Sequence, residues 1–484
     1  MKEFVDTLLR DTQQLWLQPG IAMSVVQGAS SFHSCVGVCR SDGRVFVDEK
    51  TSFALASCSK PFIVVAILIL QNRGLLRLDD PVKQYIKELE FSEDGLNGAV
   101  TIRDLMCNRL GLLPSEGRHR QVASDRTNLI ARLKDQPFRH AFKEHYAYCT
   151  DGFTLLGEIM VRVLKLDLDS CFEQLIFAPL EMENTNVSHQ LAQQDGKFAS
   201  PHLWQDGRLA PIPWVYEDHV AAPAGGINST AQDMLKWMRF LMTGKSLKGV
   251  QVLALDQLRL ARIPHMDDIG PFSEHELSQA MGQYKHLVEN EAYALGWYTH
   301  TYLGARIVYH TGSIDGFRSL TALIEGHDFA VSILANGDNP FLPRMLFQML
   351  VDNVLGVEIA DWKALFLEHQ TLLGGGKSLH SFAQSKLSKD EQNLLAPLIG
   401  KFKDNTGFGL AEIKLVDDSI VMTVGSLKFY LRPIDKDSFE AYKKWPYCTG
   451  AQFTARIIPN SASDAIGFTT SQRAHFIRMP VSDV

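Results

Sequence analysis

Apolar and polar positions alternate with two different textures along the chain, and the change between them divides it. The opening "MKEFVDTLLRDTQQLW" is amphipathic, with acids early in the run. Two short apolar runs, "IAMSVVQG" and "GRVFVDE", read as strands on either side of "SCVGVCRSDG", whose Asp42-Gly43 step is a hairpin signal. Helical patterning begins at Ser57 and continues beyond Leu68. Residues 78 to 170 read as mostly helical, with loops around Gly111–Pro114 and Gln136–Pro137. In "NSTAQDMLKWMRFLMTG", Thr230 is an expected N-cap, Asp233 lies in the first turn and Gly244 is a C-terminal stop. Its apolar face of Met234, Leu235, Met238 and Leu241 belongs in a core.

Strand patterns return in "ARIVYHTG", "RSLTALIE" and "FAVSILANGDN", followed by a helical stretch from Met345 to Gln370 with a break expected at Gly356. The glycines of "LLGGGKSLHS" read as a linker over 373–389. Beyond it come short alternating runs, "AEIKLVDDSIVMTVGSLKFYLRPI", with turns expected at Asp417-Asp418 and Gly425-Ser426. The chain therefore divides into a large domain over 1–372, a linker, and a small all-β domain over 390–484.

Composition narrows the setting. At 484 residues and 45% hydrophobic, two or three domains can each bury a core. A net charge of -7 with intermixed signs offers no basic stripe, so no nucleic-acid partner is expected. The seven cysteines are odd in number and match neither a disulfide framework nor a CxxC zinc site; in "CVGVC", Cys35 and Cys39 read as buried free thiols on one strand face. The longest apolar stretch, Pro61 to Leu70, is about half a membrane span. The N-terminus lacks the apolar core of a signal peptide. A cytoplasmic setting, with no membrane partner, is the expectation.

The candidate chemistry begins at "FALASCSKPFIVVAIL". On a helix, Lys60 would lie over Ser57, three residues earlier. Pro61 is tolerated only near a helix start, which puts Ser57 at a helix N-terminus, where the macrodipole favours an oxyanion. A serine hydroxyl attacks poorly unless a neighbour takes its proton, and a lysine at its ordinary pKa of roughly 10.4 cannot do so. A tyrosine near a lysine cation has a stabilised phenolate and can accept that proton; "HYAYCTDGFTLLGEIM" supplies Tyr148. "YHTGSIDGFRS" adds His310-Thr311-Gly312 at a strand end, where the glycine permits close approach and the Ser313 amide can serve as an oxyanion donor.

These elements together resemble the serine β-lactamase and penicillin-binding-protein superfamily, in its class C-like branch of esterases and D-aminopeptidases. Ser57-Cys58-Ser59-Lys60 resembles the S-x-x-K motif, Tyr148-Cys149-Thr150 falls where Y-x-N is expected, and His310-Thr311-Gly312 where K-T-G or H-x-G is expected, in family order. "LRLDDPVKQYI", "VTIRDLMCNRLGLLP", "PAGGINSTAQDMLKWM" and "LGWY" are similar to the family's wording, over about residues 1 to 355. The tail from about 390 is similar to a lipocalin-like domain appended to some members.

The resemblance implies an α+β fold, a central antiparallel sheet flanked by helices with a helical subdomain. It also implies a mechanism without metal or organic cofactor. Ser57 forms an acyl-enzyme with an ester or amide, Lys60 and Tyr148 relay the proton, and the amides of Ser57 and Ser313 hold the oxyanion. His310, Thr311, Gly312 and Thr150 would contact a small-molecule or peptide substrate.

Three departures qualify the expectation. Thr150 stands in place of asparagine, with a hydroxyl that can accept from an ammonium but has no amide donor. His310 in place of lysine lessens fixed charge and would make binding depend on pH near roughly 6.5. Asn108 and Leu110 replace the histidine and serine of the family's "THTSGL", a structural change. Tyr146 competes with Tyr148 for the base role, and register against Gly157 favours Tyr148. A serine hydrolase, an acyltransferase on the same scaffold and a catalytically weak binding protein all remain open, and the C-terminal domain could cover the site or drive homo-oligomer contacts.

Overall fold

The computed structural model describes residues 1–40, 43–112, 125–136, 138, 140–194, 196–205, 208–214, 220, 222–267, 269, 282–314, 316–365, 387–404, 409–424, 427–434, 436–443, 453–459, 466–470 and 475–478. Its larger unit is built on seven antiparallel strands: β1 (Gly20–Gln27), β2 (Ser30–Gly37), β3 (Val288–Tyr293), β4 (Tyr298–Tyr302), β5 (Ala305–Ile314), β6 (Phe317–Glu325) and β7 (Phe329–Ala335). Their order across the sheet is β2-β1-β7-β6-β5-β4-β3. The N-terminal hairpin therefore joins the C-terminal strands through β1 and β7, in a register that sets Ile21 opposite Ala335 and Gln27 opposite Phe329.

The runs "IAMSVV" and "FAVSILA" are apolar at nearly every position, as strands covered on both faces require; β7 is buried throughout and β1 everywhere but Gln27. The helices that cover the sheet and carry the site are α1 (Lys2–Leu15), α2 (Lys60–Asn72), α3 (Ile102–Met106), α4 (Thr150–Leu164), α5 (Ala231–Thr243), α6 (Leu255–Leu260) and α7 (Leu342–Leu355). α1 packs on β2, α5 on β1 and β7, and α7 on β6 and β7. α2 is apolar around its whole circumference and buried from Lys60 to Leu70, as a helix without a polar face must be. Phe62 on α2 stacks on Trp237 of α5, ring centroids 3.8 Å apart. Among the described residues no helix is long and apolar enough to cross a membrane.

Several expectations shift for identifiable reasons. "GRVFVDE" is not a strand: Phe46 forms one isolated bridge to Val38, the Val45 carbonyl accepts the Cys39 amide at 2.8 Å, and both side chains face solvent. The β2 strand ends at Gly37, before Cys39, and the six described cysteines are free thiols, Cys35 half-buried and the others buried. The helical pattern at Ser57 opens as a 3₁₀ turn, Ala56–Ser59, before the α-helix starts at Lys60. Within 78–170 the helices are fewer and shorter than expected. Thr101 and Asp104 form a reciprocal capping box that starts α3, which runs only five residues. The Met345–Gln370 stretch starts earlier than expected, as α7 from Leu342, and breaks at Gly356 in the left-handed region as expected; helix resumes over 362–365. Asp42, the Gly111–Pro114 loop beyond Leu112, Pro137, the glycine linker, Gly425-Ser426 and Cys448 lie outside the described residues.

The C-terminal region is a separate all-β unit, a barrel closed by eight consecutive antiparallel strands from Gly400–Asp404 to His475–Arg478. It has its own core, in which Phe402, Ile413, Leu431 and Phe439 are fully enclosed. The expected turn at Asp417-Asp418 is present, with φ of 48° and 63°, the two positive values of a type I′ hairpin. A helix, Lys389–Leu395, precedes the strands where β structure alone was expected; Ser388 and Glu391 cap it reciprocally.

α5 begins as read from sequence, with the Thr230 hydroxyl accepting from the Asp233 amide and Gly244 ending the helix at φ 73°. Thr230→Ala removes that acceptor and should cost about 1 kcal/mol, seen as a lower urea midpoint with an unchanged denaturant slope.

Candidate active site

The turn that carries Ser57 is fixed on every side but one. Upstream, Phe53–Ala54 pair with Asn228–Ser229, and the Leu55 amide bonds the Ile227 carbonyl at 2.8 Å. Ala56 then takes φ of +48°, a left-handed conformation that a residue with a Cβ adopts only under constraint. Cys58 turns inward and its thiol donates to the His310 carbonyl at 3.2 Å. The Ser59 hydroxyl accepts from the Ile227 amide at 3.1 Å. Ser57 alone of the three points to a half-open position.

Lys60 lies one turn on and is 1% exposed. Its Nζ donates to Ser57 Oγ and to the Ala224 carbonyl, both at 3.1 Å. It also lies 4.7 Å from the centre of the Tyr148 ring and 5.3 Å from that of Phe153. The Ala224 carbonyl can come this close because α4 carries Gly157 where the Ala222–Gly225 turn crosses; a Cβ there would fall 2.2 Å from Pro223 Cγ.

The Tyr148 hydroxyl donates to Ser57 Oγ at 2.9 Å. What aims it is Asn108, whose place in the sequence predicts only a structural role. Buried, and at φ of 54°, Asn108 accepts the Ala147 amide on its carbonyl (2.8 Å) and the Cys149 amide on its side-chain oxygen (2.9 Å). Tyr148 is thereby clamped on both flanks. The available signal was an asparagine, which tolerates the left-handed region, just before the Gly111 loop. Tyr146 is elsewhere engaged: buried, it shares a 2.8 Å hydrogen bond with the Tyr298 hydroxyl, and burial holds its pKa well above the usual 10.

Thr150 opens α4 half-buried, and its hydroxyl makes no hydrogen bond to Lys60 among the described residues; the Ala224 carbonyl is an acceptor for that ammonium instead.

The fourth segment is the end of β5. β4 pairs with β5 only as far as Tyr309, so His310–Ile314 present a free edge, and the Ala56–Ser59 turn packs against it. Gly312 has a different use from the one expected. A Cβ there would lie 2.1 Å from the Leu55 carbonyl and 2.2 Å from Ser319 Oγ, so its bareness admits the serine turn itself. Thr311 is half-buried, and Ser313 is exposed beyond it.

His310 corrects an expectation. It is 1% exposed, and its Nδ1 donates to the Thr311 carbonyl at 2.7 Å. A carbonyl can only accept, so Nδ1 carries a proton; Nε2 faces the Tyr293 hydroxyl at 3.5 Å. Burial first, then the Lys60 cation, push its pKa down to about 3. It therefore does not titrate near 6.5 and brings no charge to the site. Among the described residues no cluster of three or more histidines, cysteines or acids is arranged to hold a metal.

An antiparallel sheet flanked by helices, with a Ser-x-x-Lys turn docked on its free β5 edge, defines the β-lactamase/transpeptidase-like superfamily. The chain belongs to the β-lactamase family, whose description, Beta-lactamase, matches residues 8–350. It is 22% identical over 346 residues to Protein flp of Staphylococcus aureus (strain COL), a match spanning 71% of this chain and 64% of that protein. The chain thus covers less than two thirds of that relative's length. Unguisins hydrolase ungD' of Aspergillus campestris is 24% identical over 384 residues, 75% of this chain and 68% of the other. Among solved structures, the octameric penicillin-binding protein homologue from Pyrococcus abyssi superimposes with a TM-score of 0.63 at 17% identity, covering 98% of this chain and 99% of that one.

Two outcomes follow from this geometry. His310 and His300, the latter held to about 4 by burial and the Arg344 cation, stay neutral in the fold while the unfolded chain protonates them below about 6.5. The unfolded chain binds more protons between those values, so stability falls as pH drops from about 6.5, by about 1.4 kcal/mol per pH unit for each group. His310→Gln should flatten urea-derived stability against pH by about one such slope between pH 6 and 4; an unchanged slope would contradict a neutral His310. Asn108→Gly keeps the backbone conformation but deletes the acceptor for Cys149; it should lower kcat about tenfold or more with little change in KM, and Asn108→Asp should recover part of the loss.

Proposed function

We propose that this protein is a serine hydrolase that cleaves an ester or amide bond of a small molecule or short peptide through an acyl-enzyme on Ser57. The observation that carries the reading is that Ser57 Oγ lies within hydrogen-bond reach of both Lys60 Nζ (3.1 Å) and the Tyr148 hydroxyl (2.9 Å). Two potential proton carriers, from segments 91 positions apart in the case of Tyr148, converge on one hydroxyl.

In the proposed reaction Tyr148 first gives up its phenolic proton to solvent, leaving a phenolate that the adjacent Lys60 ammonium stabilises; Ser57 Oγ then bonds to the substrate carbonyl carbon as its proton passes to that phenolate. The carbonyl π pair moves to oxygen, which the amides of Ser57 and Ser313 receive. Collapse of the adduct breaks the bond to the leaving group, and that group takes the proton from Tyr148. A water then repeats the sequence on the acyl-enzyme, losing its proton to Tyr148 and releasing the acid and free Ser57. The half-buried Thr311 and Thr150 are the groups on hand to line the substrate side, with His310 and Gly312 packed behind them. A neutral His310 offers a substrate carboxylate no cation at this position, which favours an acyl group without a negative charge beside the scissile bond. Ungd′, a relative named as a hydrolase, supports the reaction class; the octameric homologue supports homo-oligomers.

The eight-stranded up-and-down closure of the C-terminal unit supports a lipocalin-like reading of 390–484, joined through 373–389 to a hydrolase domain over 1–372. The setting we propose is the cytoplasm. A second reading, a weakly catalytic binding protein, draws on Thr150, whose hydroxyl does not reach Lys60.

The test is intact-mass spectrometry after incubation with p-nitrophenyl acetate and, separately, a fluorophosphonate. A single adduct on Ser57, abolished in Ser57→Ala and slowed about a hundredfold in Tyr148→Phe, is expected. Folded protein that takes no adduct, or a Ser57→Ala protein with wild-type turnover, would sink the hydrolase reading in favour of the binding protein.

A further inference from the structure

The strands that hold the candidate site run away from it, and at their far end they meet a second cavity. Ser319, whose hydroxyl donates to the Leu55 carbonyl at 2.6 Å, belongs to the serine end of β6; Glu325, at the other end, is six residues on, or about 20 Å along an extended strand. There a cavity of about 480 Å³ opens between α6, the turn that follows it, the start of β5 and the hairpin from β6 to β7. That volume exceeds what a simple inorganic ion fills and falls in the range of roughly 300–1,000 Å³ typical of small-molecule sites.

Three arginines line it: Arg259 on α6, Arg262 just beyond, and Arg306 on β5. One carboxylate, Glu325, serves two of them, accepting from Arg262 at 3.3 Å and from Arg306 at 3.0 Å. Arg262 is 4% exposed. One of its terminal nitrogens also donates to the Leu241 carbonyl, but its enclosed Nε has no hydrogen-bond partner, an expensive state for a charged group. The guanidinium of Arg259 makes no ion pair or hydrogen bond among the described residues, and its chain is exposed. Two further carboxylates, Asp256 and Asp328, are on the rim, but neither pairs with any of the three arginines; Asp256 accepts the Gln257 amide on its own helix. Arg259 and Arg306 both act on Arg262 as repelling charges, against which the single attractive charge is that of Glu325. Among the described residues Glu325 is the one carboxylate that pairs with these arginines, and Arg259 is left outside that pairing.

The rest of the lining is apolar. Leu260 and Ile263 are 45% and 47% exposed, on the same side as Arg259. An inorganic anion would leave this surface wet, whereas an apolar chain carrying an anionic head would cover it and answer the arginines together.

We propose that this cavity is a second ligand site, distinct from the Ser57 site, for a small amphipathic anion whose head is held by Arg259, with the enclosed charge of Arg262 behind it, and whose apolar body lies over Leu260 and Ile263. The proposal does not depend on hydrolysis at Ser57. The head is a carboxylate or a phosphate, which the guanidinium fork receives alike.

Calorimetric titration of the full chain with octanoate, octyl phosphate and octanol tests it, beside Arg259→Glu, an exposed change that leaves the bonds of Arg262 in place. Saturable 1:1 binding of one or both anions, at least about tenfold tighter than octanol and weakened about tenfold or more by Arg259→Glu, is expected. Preference between the two anions identifies the head. Absence of saturable anion binding, octanol binding as tightly, or equal affinity in Arg259→Glu and wild type each overturns the proposal; the last outcome also covers an anion that binds at the Ser57 end instead.

Discussion

The close approach of the Ser57 turn to the free edge of β5 is the contact on which the rest of the site depends. It exists because Gly312 lacks a Cβ: the Leu55 carbonyl occupies the space one would need. Ser319 then donates to that carbonyl, its oxygen lies 3.2 Å from the Cys58 sulfur, and Cys58 donates to the His310 carbonyl. Four polar or soft groups thus weld a turn of α2 to two strands of the sheet. The left-handed backbone at Ala56 is held by this weld, since a free chain would relax it. What is left over, Ser57, is the one side chain in the turn with no structural duty.

The polar groups around Ser57 come from four separate stretches, and each is locked by something other than its neighbours in the site. Lys60 is set by a helix start, Tyr148 by the Asn108 clamp, Ala224 by the bare face of α4 at Gly157, and His310 by its own bond to Thr311. Groups held independently of one another keep their spacing when any one of them changes partner, which is what preorganisation requires. Asn108 and His310 also fill the places where this chain departs from its family's wording, and both work through shape and hydrogen bonding without a charge.

Sequence carried the large features because they rest on local rules. A continuous apolar run over Phe62–Leu70 has one stable environment, the interior. Thr230, Gly244 and Gly356 mark helix ends by their own chemistry, and Asp417-Asp418 marks a turn by its tolerance of positive φ. The spacing of Ser57 and Lys60 survives the change from helix to 3₁₀ turn because three residues bring side chains together in either. What could not be read depended on long-range partners. Val45 and Phe46 have strand composition but no strand beside them. The protonation of His310 follows from burial under Tyr293 and beside Lys60, neither of which a local window contains. Gly312 is legible as a point of close approach, but the group that approaches it, the Leu55 carbonyl, comes from a distant part of the chain.

The pairing of β1 with β7 has a consequence for how the protein is made. Ile21 and Ala335 are neighbours in the sheet yet roughly 300 residues apart in the chain, so at synthesis rates of roughly 5–20 residues per second the first hairpin waits some 15–60 s for its partner strand. During that interval β1 and the wholly apolar α2 have left the ribosome without the surfaces that cover them. For that interval the nascent chain exposes apolar surface and an unpaired strand edge, the features that make a partly made chain prone to aggregate.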